Sequence, residues 1–203
     1  MSVLVSRKAP NFSAAAVTAN GAIENNYQFY DKTSGRYTVL FFYPLDFTFV
    51  CPTELIALDK SIAEFTQRGA DVLTISIDSQ FTHAAWRNTP INQGGIGPVS
   101  YTMIADTSHE ICRIYGVEHF EENVALRATF IIDQNKVVRS QTVNDLPLGR
   151  NVAETLRTLD SLQHFETHGE VCPMDWQKGS AAMQPNATGV ASWLQDKYAA
   201  QTA

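Results

Sequence analysis

The run YTVLFFY at residues 37–43 constrains this chain more than any other stretch. Its β-branched and aromatic residues succeed one another almost without a polar break, which is the pattern of a strand covered by apolar groups on both faces. Downstream of it, helical and extended periods alternate. Residues 53–68 set Leu55, Leu58, Ile62 and Phe65 on one helical stripe, and Gly69 stands where the helix should end. Residues 72–77 read as another buried strand and 79–88 as a short helix stopped by Pro90. Residues 103–105 read as a short strand, 109–115 as a short helix, and 129–133 with 137–142 as a hairpin across Gln134-Asn135. A last helix begins after Asn151, a good N-cap, with Glu154 in capping-box position and Val152, Leu156, Leu159 and Leu162 facing inward. Strands alternating with helices and then a hairpin predict an α/β protein, a central mixed β-sheet flanked by helices.

Beyond residue 168 the composition shifts. Pro173, Gly179 and Pro185 lie among polar residues, which predicts an extended C-terminal arm over 169–203 attached to a domain of residues 1–168. A short amphipathic segment over 190–198 closes it. An arm of this size cannot bury enough surface alone, so it must rest on this chain or on a second copy. The net charge of −6 argues against nucleic acid as a partner, because phosphate binding needs a basic field. The longest apolar run is far shorter than the roughly 20 residues of a membrane span. The N-terminal residues lack the pattern of a secretory signal, so the expected compartment is the cytoplasm. That compartment is reducing, so the three cysteines point to chemistry or metal binding rather than to a disulfide framework.

Cys51 falls where the strand turns into the next helix. A helix N-terminus carries about half a positive charge, which favours a thiolate, and Pro52 suits an early helical position. By position alone a buried, inert thiol is equally open. The surrounding residues decide. Pro44, Thr48 and Cys51 form P-x-x-x-T-x-x-C within FFYPLDFTFVCPTE. Further along come SIDS at 76–79, His83 and Trp86 as H-x-x-W, GGIG at 94–97, RATFIID at 127–133, DLPLGR at 145–150 and GEVCP at 169–173. With these motifs the chain resembles the peroxiredoxins over nearly its whole length, and most closely the typical two-cysteine group that includes alkyl hydroperoxide reductase C subunits and thioredoxin peroxidases.

The resemblance implies a thioredoxin-like fold and a thiol-dependent peroxidase acting on hydrogen peroxide and organic hydroperoxides, without a cofactor or a bound metal. It makes Cys51 the cysteine that attacks peroxide and Cys172 the one that resolves the resulting sulfenic acid as an inter-subunit disulfide. It implies a homodimer, five of which form a decamer, recycled by thioredoxin or by a flavin-containing disulfide reductase. Arg127 would supply a fixed cation with a planar fork of donors at the sulfur. Thr48 would offer peroxide a hydroxyl, and Pro44 would shield the sulfur from water. Glu54 and Arg150 would hold Arg127 in place. The GGIG segment and the terminal helix match features that slow opening of the site and favour overoxidation, although Trp193-Leu194 stands where the family usually has Tyr-Phe or Tyr-Leu.

Other chemistries fit less well. Cys112, inside ICRIY, lies in no motif and reads as a small apolar packer. His164 and His168 stand four apart on a predicted helix, a spacing that can place two imidazoles on one ion, but the intervening glutamate is out of register with a zinc-protease motif and no cysteine pair completes a tetrahedral site. A thioredoxin-type disulfide exchanger would need C-x-x-C, and Cys51 is followed by Pro52, Thr53 and Glu54. A holdase or a peroxide-signalling relay remains the alternative role.

Overall fold

In a computed structural model, which describes residues 3–198, the 37–43 run becomes β3 (Tyr37–Phe42), all six residues of which are buried. Around it stands a seven-stranded sheet whose order is β2 (Ile23–Gln28), β1 (Ser13–Val17), β5 (Thr102–Ala105), β4 (Ala70–Ser76), β3, β6 (Arg127–Ile132) and β7 (Val138–Asn144). β3 pairs parallel with β4 (Ala70–Ser76), and β4 parallel with β5 (Thr102–Ala105). β6 (Arg127–Ile132) runs antiparallel to β3 and to β7 (Val138–Asn144). The expected mixed sheet flanked by helices is therefore present. No described helix is long and apolar enough to cross a membrane.

Two strands escaped the sequence reading. β1 (Ser13–Val17) and β2 (Ile23–Gln28) form an antiparallel hairpin, and β1 joins the sheet beside β5. After a one-turn α1 (Phe29–Lys32), the predicted helix over 53–68 starts earlier and divides at Ser61 into α2 (Cys51–Lys60) and α3 (Ile62–Gln67). The helices expected over 79–88 and 109–115 are α4 (Gln80–Asn88) and α5 (Glu110–Ile114). Gly69, at φ +65°, ends α3 as expected. The β6–β7 hairpin turns over more residues than Gln134-Asn135 alone. Asp133 N–H donates to Val137 O, the N–H groups of Asn135 and Val137 donate to Asp133 Oδ1, and Lys136 takes φ +63°.

Alternation along β3 and β6 divides the sheet into two chemistries. Leu40, Phe42, Ala128, Phe130 and Ile132 face the main apolar cluster, where they meet Phe12, Phe29 and Tyr115. The rings of Phe42, Tyr115 and Phe130 lie 5.1–5.7 Å apart. Phe41, Arg127 and Thr129 occupy the opposite face. The candidate residues that surround Arg127, namely Cys51, Glu54 and Arg150, gather on that side.

The chain divides into two compact units, Met1–Val152 and Ala153–Ala203. The second holds most of α6 (Val152–His168), an isolated bridge between Val171 and Met183, and α7 (Ala187–Tyr198). Within it the segment after α6 is fastened to that helix. Arg157 Nη1 donates to Trp176 O at 3.1 Å, Lys178 pairs with Asp160 at 3.5 Å, and Trp176 is buried. The terminal helix begins three residues earlier than the predicted 190–198 segment.

Candidate active site

Cys51 is the first residue of α2, and Pro52 comes next, where its missing N–H costs nothing. The Cys51 side chain is wholly buried. Glu54, one turn along the same helix, is also buried. The antiparallel strand β6 brings Arg127 to this point. Arg127 Nη1 donates to Cys51 Sγ at 3.4 Å and to Glu54 Oε2 at 2.8 Å, while Nε donates to Leu146 O at 2.5 Å. Its Nη2 has no hydrogen-bond partner among the described residues. A guanidinium donor therefore faces the sulfur, and a second pair of N–H groups remains open to a further acceptor.

Arg150 completes the cluster from the loop after β7. Its backbone N–H and its Nε donate to Glu54 Oε1 at 2.8 and 2.9 Å, and its Nη2 donates to Glu54 Oε2 at 3.0 Å. One carboxylate thus anchors two guanidinium groups. Burial alone would push the Glu54 carboxyl up, but the hydrogen bonds and charge of Arg150, joined by the charge of Arg127, hold it below its ordinary value. Arg150 has further contacts that the sequence did not suggest. Its Nη1 donates to Ala128 O at 2.7 Å and to Thr129 Oγ1 at 3.2 Å, and its guanidinium carbon lies 3.3 Å from the centroid of the Phe41 ring.

The loop from Pro44 to Val50 carries the remaining motif residues. Pro44 is buried, two residues beyond the end of β3. Thr48 is half-buried and donates its hydroxyl proton to Leu45 O at 2.8 Å, so toward a substrate its oxygen is free to accept. The loop is pinned at its base. Asp46 accepts from Tyr43 Oη at 2.6 Å and meets His83 Nδ1 at 2.7 Å, and its own N–H donates to Asp78 Oδ2 at 2.9 Å. His83 Nε2 reaches Ile104 O at 3.2 Å. The H-x-x-W motif thereby gains a physical role, since Trp86 also fixes Gly94 through Nε1–H to its carbonyl at 2.9 Å.

Cys172, Cys112 and the His164–His168 pair are the remaining candidates. Cys172 belongs to the second unit, is partly exposed, and points its thiol at Ser161 O at 3.6 Å. Burial raises its pKa above the ordinary thiol value, against the opposing influence of Ser161 and Arg157. Cys112 is fully buried, and burial, followed by Asp106, pushes its thiol far up, as suits a packing residue. All three cysteines are free thiols. His164 engages Glu170 at 2.9 Å, its ring lies tilted against those of His168 and Trp176 at 4.6 and 5.1 Å, and no group of three or more metal-ligating side chains occurs among the described residues.

Residues 5–141 match the model of the AhpC/TSA family. The chain belongs to that family. Residues 161–196 match a second model, the C-terminal domain of 1-Cys peroxiredoxin. This peroxiredoxin is 48% identical over 194 residues to alkyl hydroperoxide reductase C of Helicobacter pylori, covering 96% of this chain and 98% of the relative. It is 47% identical over 182 residues to peroxiredoxin-2 of Mus musculus, covering 90% of each chain. The reduced 2-Cys peroxiredoxin of Plasmodium vivax superposes with a TM-score of 0.91 at 43% identity, covering 96% of this chain and 100% of that one. The protein is a thiol-dependent peroxidase with the thioredoxin-like fold of these relatives.

Proposed function

We propose that Cys51 attacks the outer oxygen of hydrogen peroxide or an organic hydroperoxide and that Cys172 of a second subunit resolves the product. The observation that carries this reading is the Arg127 guanidinium, shared between Cys51 Sγ and Glu54. In the first step an S–O bond forms as the O–O bond breaks, and the leaving oxygen departs as water or alcohol after taking a proton. Arg127 Nη2 faces the developing oxygen charge, Thr48 accepts the peroxide hydrogen bond, and buried Pro44 excludes water. Glu54 and Arg150 keep Arg127 from turning away. In the second step the Cys172 sulfur attacks the Cys51 sulfenic acid, an S–S bond forms and water leaves. A dithiol reductant, thioredoxin or a flavin-containing disulfide reductase, restores both thiols.

The expected assembly is a homodimer, with five dimers in a decamer, in the cytoplasm. The domain of residues 1–168 carries the attack, and the arm of 169–203 carries resolution. The test treats reduced protein with one equivalent of hydrogen peroxide, blocks remaining thiols, and separates chains without reductant. A band at twice the subunit mass in wild type, lost in Cys51→Ser and in Cys172→Ser, supports the inter-subunit cycle. Loss of two thiols at subunit mass makes the disulfide intra-chain, and consumption of no thiol removes Cys51 as the peroxide-reactive group.

A further inference from the structure

The proposed attack depends on where Arg127 points, and that is settled one layer further from the sulfur. Arg127 and Thr129 are two apart on β6 and so share a sheet face. Phe41 on β3 is paired in register with Thr129, so the Phe41 ring and the Thr129 hydroxyl stand side by side on that face. Arg150 lies across both. Its guanidinium carbon is 3.3 Å from the Phe41 centroid, and its Nη1 donates to Thr129 Oγ1 at 3.2 Å and to Ala128 O at 2.7 Å. The ring face sets the plane of the guanidinium, and the hydroxyl sets its rotation within that plane. With both fixed, Nε and Nη2 present a fork to Glu54, and Glu54 Oε2 in turn receives Arg127 Nη1.

We propose that Phe41 and Thr129 are positioning residues for peroxide reduction, acting through Arg150 and Glu54 to fix the direction in which Arg127 meets Cys51 and its substrate. The proposal rests on Cys51 being the attacking residue. Neither side chain needs to touch substrate. Their influence should be specific to reactions that use the Arg127 fork, because a shift of about 1 Å in a positioned group costs roughly a hundredfold in a reaction that relies on it.

The experiment compares two electrophiles on the full-length reduced protein. Hydrogen peroxide requires the cation at the departing oxygen. Iodoacetamide is attacked at carbon and does not. Loss of the Cys51 thiol to each is followed by mass spectrometry of its peptide in wild type, Thr129→Val, Thr129→Ser, Phe41→Leu and Phe42→Leu. Phe42 is the control, as an equally buried ring on the same strand with the opposite face. The peroxide-to-iodoacetamide rate ratio should fall about tenfold or more in Thr129→Val and Phe41→Leu. It should return to within about twofold of wild type in Thr129→Ser, which keeps the hydroxyl, and stay there in Phe42→Leu. An unchanged ratio in Thr129→Val or in Phe41→Leu overturns the role of that residue. A ratio that falls equally in Thr129→Ser or in Phe42→Leu makes the effect one of general packing and overturns the proposal. Wild-type Cys51 that peroxide leaves intact overturns the underlying assignment instead, and the two failures are told apart by the wild-type trace alone.

Discussion

Replacing Glu54 with glutamine perturbs the cluster at the group on which both arginines depend. The carboxylate accepts four N–H donors, one from Arg127 and three from Arg150, all at 2.8–3.0 Å, and it is buried. Glutamine has nearly the same shape but offers one acceptor oxygen and turns an amide N–H toward a guanidinium. It also leaves two buried cations without their counter-charge. Removing one partner from a buried ion pair costs about 3–5 kcal/mol, and retention of one acceptor places Glu54→Gln near the lower end, about 3 kcal/mol at pH 7. The pH dependence arises from the same carboxyl. Its folded-state pKa is held below the ordinary value, so its contribution is fully present above the unfolded value of about 4.3 and is lost as pH falls through the folded one. The stability gap between wild type and Glu54→Gln should therefore be constant from pH 7 to about pH 5 and narrow below about pH 4. Urea denaturation of the reduced proteins at one fixed chain concentration measures it. A gap under about 1 kcal/mol at pH 7, or one that persists undiminished in acid, refutes the reasoning.

Three further outcomes are expected. Arg127→Lys keeps a charge but has one nitrogen to serve Cys51, Glu54 and the Leu146 carbonyl, so stopped-flow peroxide reduction should slow by about 10²–10³, and a loss under about tenfold counts against the fork. Gly95→Ala would put a Cβ 1.8 Å from Thr89 O. The backbone must shift, lowering stability by about 1–3 kcal/mol in a thermal melt, and an unchanged melt would show that this close approach does not matter. Brief iodoacetamide treatment of the native protein at pH 8 should label Cys172 well ahead of Cys112, whose thiol is buried and pushed far up; equal labelling seen by peptide mass spectrometry would contradict that burial.

The middle of the sheet was legible because its strands are buried on both faces and their composition shows it. YTVLFF and the run that became β4 needed no context. The β1–β2 hairpin was not legible, because SAAAV has little β propensity and IENNYQ is mostly polar. β1 is a strand because β5 lies beside it, a tertiary cause that no local pattern carries. The division of the long helix at Ser61 was hidden for a similar reason, since its apolar stripe continues across the break. In the site, the P-x-x-x-T-x-x-C motif and its surround led to Cys51, Thr48 and Pro44, and the resemblance led to Arg127, Glu54 and Arg150. Their union is a product of strand order rather than of spacing. Phe41 and Thr129 carry no such mark in the sequence, because a ring in a buried strand and a threonine beside it look like packing. The alternation that separates Phe41 from Phe42 was the available signal, but it says which face and not what lies there. Tyr43, Asp46 and His83 were similarly unremarkable until the fold brought them into contact.

The strand order has a consequence for how this peroxiredoxin is made. β3 takes β4 as one neighbour early, but its other neighbour is β6, with Leu40 opposite Phe130. About ninety residues must be synthesised between those two positions before the central strand is enclosed, and β1 likewise waits for β5. Until then the YTVLFF strand offers an open hydrogen-bonding edge and apolar side chains on a nascent chain, the condition in which strands mispair. The four side chains of the Cys51 cluster are delivered in the same order, with Arg150 last. Synthesis must therefore pass residue 150 before this cluster can close, so a ribosome-bound fragment that stops short of it lacks the assembled site, and a holdase that covers the β3 edge during this interval should raise the yield of active protein.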